Sequence, residues 1–298
     1  MLHIVIMVAI YIILVSSLRL TVITGLWNLS TVAFYGIGSY TVYLLMTNLG
    51  LSFWLALLMA GIVAGIIALG LGYVTIRIKG MYFVLLTIAF VEVARLTITE
   101  IPFLGGYMCL TVPSINPIVI PHVVRVEFIS KLPFYYLMLI LVGITLVVLY
   151  RIDKCRLGAV LESVADHEPL AESIGINTTR YKLLAFCVGS FFPGIAGGYL
   201  ASYSGIVSPQ GINLGAAMAV FIAMFVGGMG SLWGAVLGAT LITVLPELLR
   251  GAVYYEPLIG AIVVILVVFF LPRGLITLPG LFQERVLKPV SSRYKSRP

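Results

Sequence analysis

The chain has 298 residues, 61% of them hydrophobic and 10% charged, with a mean hydropathy of +1.15 and a formal net charge of +7. Soluble domains carry roughly 25% charged residues, so the composition points to a polytopic membrane protein with little room for a soluble catalytic domain. The basic excess is what the flanks of apolar spans require, and it does not call for a nucleic-acid partner.

Taken in chain order, runs of about 20 mostly apolar residues place spans near 3–18, 21–47, 52–76, 82–100, 133–150, 183–203, 214–230, 234–250 and 256–272. The first lacks a basic segment ahead of it and reads as a retained span rather than a cleaved leader. The second is long and holds Asn28, Ser30, Thr31, Gly36 and Gly38, which mark a possible break. The seventh and eighth are short, and one or both can be tilted or re-entrant. The expected fold is an all-α transmembrane bundle of about nine spans.

Basic residues orient the bundle. If residues 151–182 are cytoplasmic, Arg19, Arg77, Lys79 and the tail from Arg273 to Arg297 fall on the same side, leaving Arg125, Lys131 and Arg250 outside and Arg95 within a span. The opposite orientation violates the positive-inside bias. The N-terminus is then outside and the C-terminus inside. Residues 1–275 form one membrane domain, and 276–298 form a basic cytoplasmic tail. The segment 101–132, with prolines at 102, 113, 117 and 121, cannot be a continuous helix. It reads as an outer loop with a possible strand at Val123–Ile129, either docking an extracytoplasmic partner or covering the bundle.

Several chemistries are missing. No Gly-Lys dipeptide occurs, so there is no phosphate loop of the Walker type. No GxSxG, HExxH or paired-cysteine motif occurs either. Cys109, Cys155 and Cys187 share no metal-ligand spacing. At membrane depth the ionisable residues are Glu92, Arg95 and Glu247. Glu92 and Arg95 stand at i,i+3 and can pair, either as a packing element or as a polar lining; the same applies to Glu247 with Arg250. Four glycines, Gly227, Gly228, Gly230 and Gly234, lie within eight residues and break the helix there. They form either a tight turn between short spans or part of a path. The segments Phe34–Tyr40 and Phe192–Tyr199 share a glycine–aromatic pattern that raises an inverted repeat.

The stretch 151–182 is the polar exception. It holds ten charged residues, five basic and five acidic. Leu157, Val160, Leu161 and Val164 have helical spacing. Pro169 suits the first turn of a second short helix, and Gly175 suits its end. Asn177, Thr178 and Thr179 can cap a third helix beginning near Arg180. A helix–break–helix of this kind fits a groove on a partner, or lies as an amphipathic surface on the bilayer.

The runs Gly175–Pro209, Gly227–Gly234, Leu237–Ala239, Thr75–Arg95 and Phe34–Tyr40 resemble the permease subunits of high-affinity branched-chain amino acid ABC importers. The second of the two related permease types is the closer match, and the similarity covers most of the chain from Thr24 to Leu278. The resemblance implies a heterodimer with a homologous permease and two cytoplasmic ATPase subunits that bind ATP and Mg, with no cofactor in this chain. It also implies an extracytoplasmic binding protein that delivers Leu, Ile or Val. By this resemblance Leu157–Lys182 is the coupling loop, with Leu157, Glu162, Glu168, Pro169, Ala171, Glu172 and Gly175 as contact residues. Ala165 and Pro169 depart from the family pattern, which often has Arg and usually an aliphatic residue there. Polar groups able to line a path are Asn28, Ser30, Thr31, Tyr40, Thr41, Thr87, Glu92 and Ser190, with Thr31, Tyr40 and Glu92 as first candidates. Amides freed at Gly36–Gly38 are candidates for a substrate carboxylate. Urea and short-chain amide importers share the family, and a stand-alone secondary transporter is the rival class. A membrane scaffold or enzyme subunit is a further rival, for which no reacting constellation is visible.

Overall fold

The computed structural model describes residues 2–78, 80–113, 118–120, 124–126 and 131–248. Helices α1 (Leu2–Val22), α2 (Thr31–Asn48), α3 (Phe53–Thr75), α4 (Met81–Glu100) and α5 (Lys131–Lys154) come first. Two short helices follow, α6 (Arg156–Asp166) and α7 (Glu168–Ser173), and then α8 (Thr178–Ser204), α9 (Leu214–Gly227) and α10 (Leu232–Leu248). Among the described residues, six helical segments are long and apolar enough to cross a membrane, and α10 is a shorter apolar helix. The expected span at 256–272 and the tail at 276–298 lie outside the described residues.

The helices alternate between two ends. Arg19 near the end of α1 bonds Asp153 near the end of α5, and also the Met229 carbonyl between α9 and α10. Thr24–Leu26 ahead of α2, Ile76 and Ile78 after α3, and Gly80 and Phe83 at the start of α4 share a cavity with Ala165, Glu168 and Lys182. These junctions therefore gather at one end, together with α6 and α7.

At the other end the chain is not purely helical. Prolines and paired glycines interrupt it, and a 3-10 turn at Pro102–Leu104 ends on Gly105 in the left-handed region. Strand β1 (Leu110–Thr111) pairs antiparallel with β4 (Ile206–Val207), placing Leu110 opposite Val207. Strands β2 (Ile118–Ile120) and β3 (Val124–Val126) form a second antiparallel pair. The all-α expectation holds for the bundle and gives way in this cap, where Pro102 and Pro113 deny the backbone a helix. Of the strand expected at Val123–Ile129, β3 covers Val124–Val126, and Val123 and 127–129 lie outside the described residues.

The core forms around α1 and α8, whose most apolar windows are 67% and 61% buried, against 22% for α4. In lipid, helix association rests on close packing and a few polar ties rather than on removal of apolar surface from water. The α2–α8 contact shows the first. A Cβ on Gly38 would stand 2.0 Å from the Gly194 carbonyl oxygen, and one on Gly197 would stand 1.8 Å from the Tyr35 carbonyl oxygen. The second is shown by Tyr199, whose hydroxyl donates to the Phe134 carbonyl at 2.7 Å and ties α8 to α5.

Two expectations are corrected here. The second apolar run is broken, as its polar residues suggest, at residues 23–30, which hold Asn28 and Ser30; no helix end falls at Gly36–Gly38, because α2 is continuous from Thr31 and those glycines are packing positions. The Gly36–Gly38 amides are thus within the helix ladder and are not free for a carboxylate. The two glycine–aromatic segments do not form an inverted pair. They lie on α2 and α8, which start at the same end and pack in parallel, Gly38 against Gly194 and Val42 against Gly198.

Candidate functional site

The polar stretch folds as an elbow. Helix α6 turns Gly158, Leu161 and Val164 inward, while α7 carries Pro169 in its first turn and buries Ala171. Gly175 has φ +87°, a conformation costly to any residue with a Cβ, so the chain can reverse there into α8. Asn177 caps α8, its side chain accepting from the Arg180 amide at 3.1 Å. Each of these local features agrees with the reading of the sequence.

The elbow is braced from within. Lys182 Nζ donates to Glu168 Oε1 at 2.7 Å, joining the start of α7 to the second turn of α8. Thr178 Oγ1 donates to Glu172 Oε1 at 2.8 Å. The Ile176 amide bonds the Ala171 carbonyl. Glu168 and Glu172 thus hold α7 on α8, where the resemblance places them at the centre of a partner contact. Leu157 is half-buried, and Glu162 is exposed. Ala165 approaches Gly25, 3.7 Å from the Cβ that residue lacks, so α6 sits directly on the turn after α1.

Beside the exposed Glu172 and Ser173, the elbow also offers apolar side chains outward. Leu170 and Ile174, four residues apart, are 63% and 72% exposed. Leu170 lies on α7 and Ile174 directly follows its last residue, so the two stand at the tip of the elbow beside its charged surface. The sequence shows both only as ordinary members of a helical pattern. Their exposure becomes visible once Ala171 is seen to be the inward side.

The glycine-rich run is a tight α9–α10 turn with Gly228 at φ +106°. A Cβ on Gly227 would stand 2.0 Å from the Gly234 carbonyl oxygen, so the glycines serve close approach of the two helices. Gly230 faces open space. The turn also meets Arg19, a junction that the sequence does not announce.

The path candidates separate into two kinds. Thr41, Thr87 and Ser190 donate to carbonyls of their own helices. Asn28 Oδ1 accepts from the Ser30 amide and hydroxyl. By contrast Asn28 Nδ2, Thr31 Oγ1 and the Tyr40 hydroxyl are buried without partners among the described residues. Each such group costs about 1–3 kcal/mol when left unbonded. Thr31 and Tyr40 lie on α2, nine residues apart, and Tyr40 packs with Val91 and Ala94 of α4. Glu92 bonds Arg95 at 2.8 Å, and both are about a third exposed on the surface of the chain. Glu92 therefore does not converge with Thr31 in the interior. The partner expected for Glu247, Arg250, lies outside the described residues.

Comparison with known proteins fits this arrangement. A model of the family described as "Branched-chain amino acid transport system / permease component" matches residues 1–272. The chain is 32% identical over 298 residues to the high-affinity branched-chain amino acid transport system permease protein LivM of Salmonella typhimurium, covering 91% of this chain and 68% of that protein. It is 32% identical over 295 residues to LivM of Escherichia coli, with 90% and 68% covered. Similarity to the permease protein LivH of Salmonella typhimurium is 30% over 126 residues, 42% of this chain and 41% of that one. No solved structure matches. The chain belongs to the family of branched-chain amino acid transport system permease components.

Proposed function

We propose that this chain is the permease subunit of an ATP-driven importer of branched-chain amino acids, and that its α6–α7 elbow receives the motion of a cytoplasmic ATPase. The observation that carries the proposal is the elbow itself. Two polar ties lock α7 onto α8, and the tip presents Leu170 and Ile174 to water. A braced lever with an apolar tip suits a groove on a soluble partner. This sequence holds no phosphate loop, which supports a reading in which the partner binds ATP and Mg.

Family membership supports the rest of the assembly. A LivM-type chain with partial similarity to LivH-type chains pairs with a homologous permease, and two ATPase subunits dock below. An extracytoplasmic binding protein delivers the solute to the end that carries the β1–β4 pair. The elbow end is cytoplasmic and the membrane is the inner one. The N-terminus lies outside, and a ninth span brings the basic tail at 276–298 inside. Thr31 and Tyr40, with unbonded hydroxyls, line the path on α2. Glu92 takes part only if the partner permease covers its face. Rocking of the two permeases by the elbows exposes the path to alternate sides.

Gentle purification of the tagged chain tests this reading. ATPase subunits and a second permease are expected to co-purify. A competition assay of Leu, Val, urea and acetamide on the assembled transporter is expected to rank Leu and Val first. A chain that purifies alone and still transports contradicts the proposal.

A further inference from the structure

A cavity of about 430 Å³ lies at the elbow end, between the end of α1, helix α6 and the α9–α10 turn. Its lining carries both signs of charge. Arg19 and Asp153 are bonded to one another there. Lys154 and Glu162 also line it. Both are exposed, and neither has an ion-pair partner among the described residues. They are thus a donor for a carboxylate and an acceptor for an ammonium, set in one cavity and not paired with each other. Trp233, 63% exposed, and the half-buried Ile23 give the cavity an apolar wall.

We propose that this cavity binds a free α-amino acid from the cytoplasmic side, with its carboxylate toward Lys154, its ammonium toward Glu162 and its aliphatic side chain against Ile23 and Trp233. Because one wall is α6, an occupant fixes the elbow to α1 and to the α9–α10 turn. Accumulated amino acid therefore slows the transport cycle. The inference rests on the importer reading for its orientation and its ATPase partner.

The test uses the assembled permease–ATPase complex without its binding protein, in nanodiscs, titrated with radiolabelled Leu. Saturable binding is expected. Leucinamide, lacking the carboxylate, and 4-methylpentanoate, lacking the amine, are each expected to compete about tenfold or more weakly, since each forfeits one charge-assisted contact. Lys154→Gln is expected to weaken Leu about tenfold. Gly230→Leu, at a position with nothing near its absent Cβ, fills the cavity and is expected to abolish binding. In proteoliposomes loaded with ATP, luminal Leu is expected to slow wild-type uptake about fivefold and to leave each variant at its own Leu-free rate. ATP-driven uptake that ignores luminal Leu, with no saturable binding, overturns the site while the importer reading stands. Binding equal in wild type and Gly230→Leu, or a response that follows anionic lipid content rather than Leu, also overturns it. Absence of any ATP-driven Leu uptake instead strikes the importer reading itself.

Discussion

Arg19 is 6% exposed in the last turn of α1 and bonds both Asp153 and the Met229 carbonyl. Removing one partner of a buried ion pair leaves an uncompensated charge and typically costs about 3–5 kcal/mol. Asp153→Asn is therefore expected to lower the thermal unfolding midpoint of the detergent-solubilised protein sharply, and the swapped pair Arg19→Asp with Asp153→Arg to restore part of it. An Asn variant as stable as the parent would remove the pair from the account. The glycines differ among themselves in the same way. Gly38→Ala drives a methyl into the Gly194 carbonyl and is expected to disrupt α2–α8 packing, read as loss of monodisperse protein. Gly70→Ala meets nothing within 4 Å and is expected to be neutral or to stabilise by about 0.5–1 kcal/mol. This contrast is hidden in the sequence. Gly38 looks like a helix break until Gly194 is placed opposite it, because a close approach depends on the residue across the gap.

At the scale of the element, the elbow was legible because its punctuation is local. Pro169, Gly175 and Asn177 act on their own backbone, and each does in the structure what its chemistry requires. The break at residues 23–30 was less legible, since Leu26, Trp27 and Leu29 continue the apolar run, and Asn28 and Ser30 settle into a turn of their own. The direction each elbow residue faces also depends on the bundle. Glu168 and Glu172 bond to residues of α8, while Leu170 and Ile174 are the large apolar side chains that stay exposed there. Replacing both by Asp is expected to abolish co-purification of the ATPase with little change in the permease's own thermal stability. Glu172→Gln keeps an oxygen for Thr178 and is expected to retain assembly. If the double Asp variant still binds and stimulates the ATPase, the tip of α7 is not the contact.

For the whole molecule, the two exposed cysteines provide a topological test. Cys155 lies between α5 and α6, and Cys109 lies just ahead of β1, at opposite ends of the bundle. With the elbow end cytoplasmic, an impermeant thiol reagent is expected to label Cys109 in intact cells and Cys155 only after the membrane is opened. The reverse pattern would invert the orientation. Alternation of the helices follows from apolar run lengths, so much of the path through the membrane was readable in advance. The meeting of α1, α5, α6 and the α9–α10 turn at one cavity was not, because it joins residues 19, 153 and 229 that no local pattern connects.

On the proposed function, this chain moves amino acids only with force received through its elbow. The most direct test is Leu uptake into proteoliposomes holding this chain and its partner permease, with and without the ATPase subunits and with ATP or a non-hydrolysable analogue inside. The account predicts uptake only when binding protein, ATPase and hydrolysable ATP are all present. Concentrative Leu uptake by the permeases alone, driven by an ion gradient and indifferent to ATP, would contradict it.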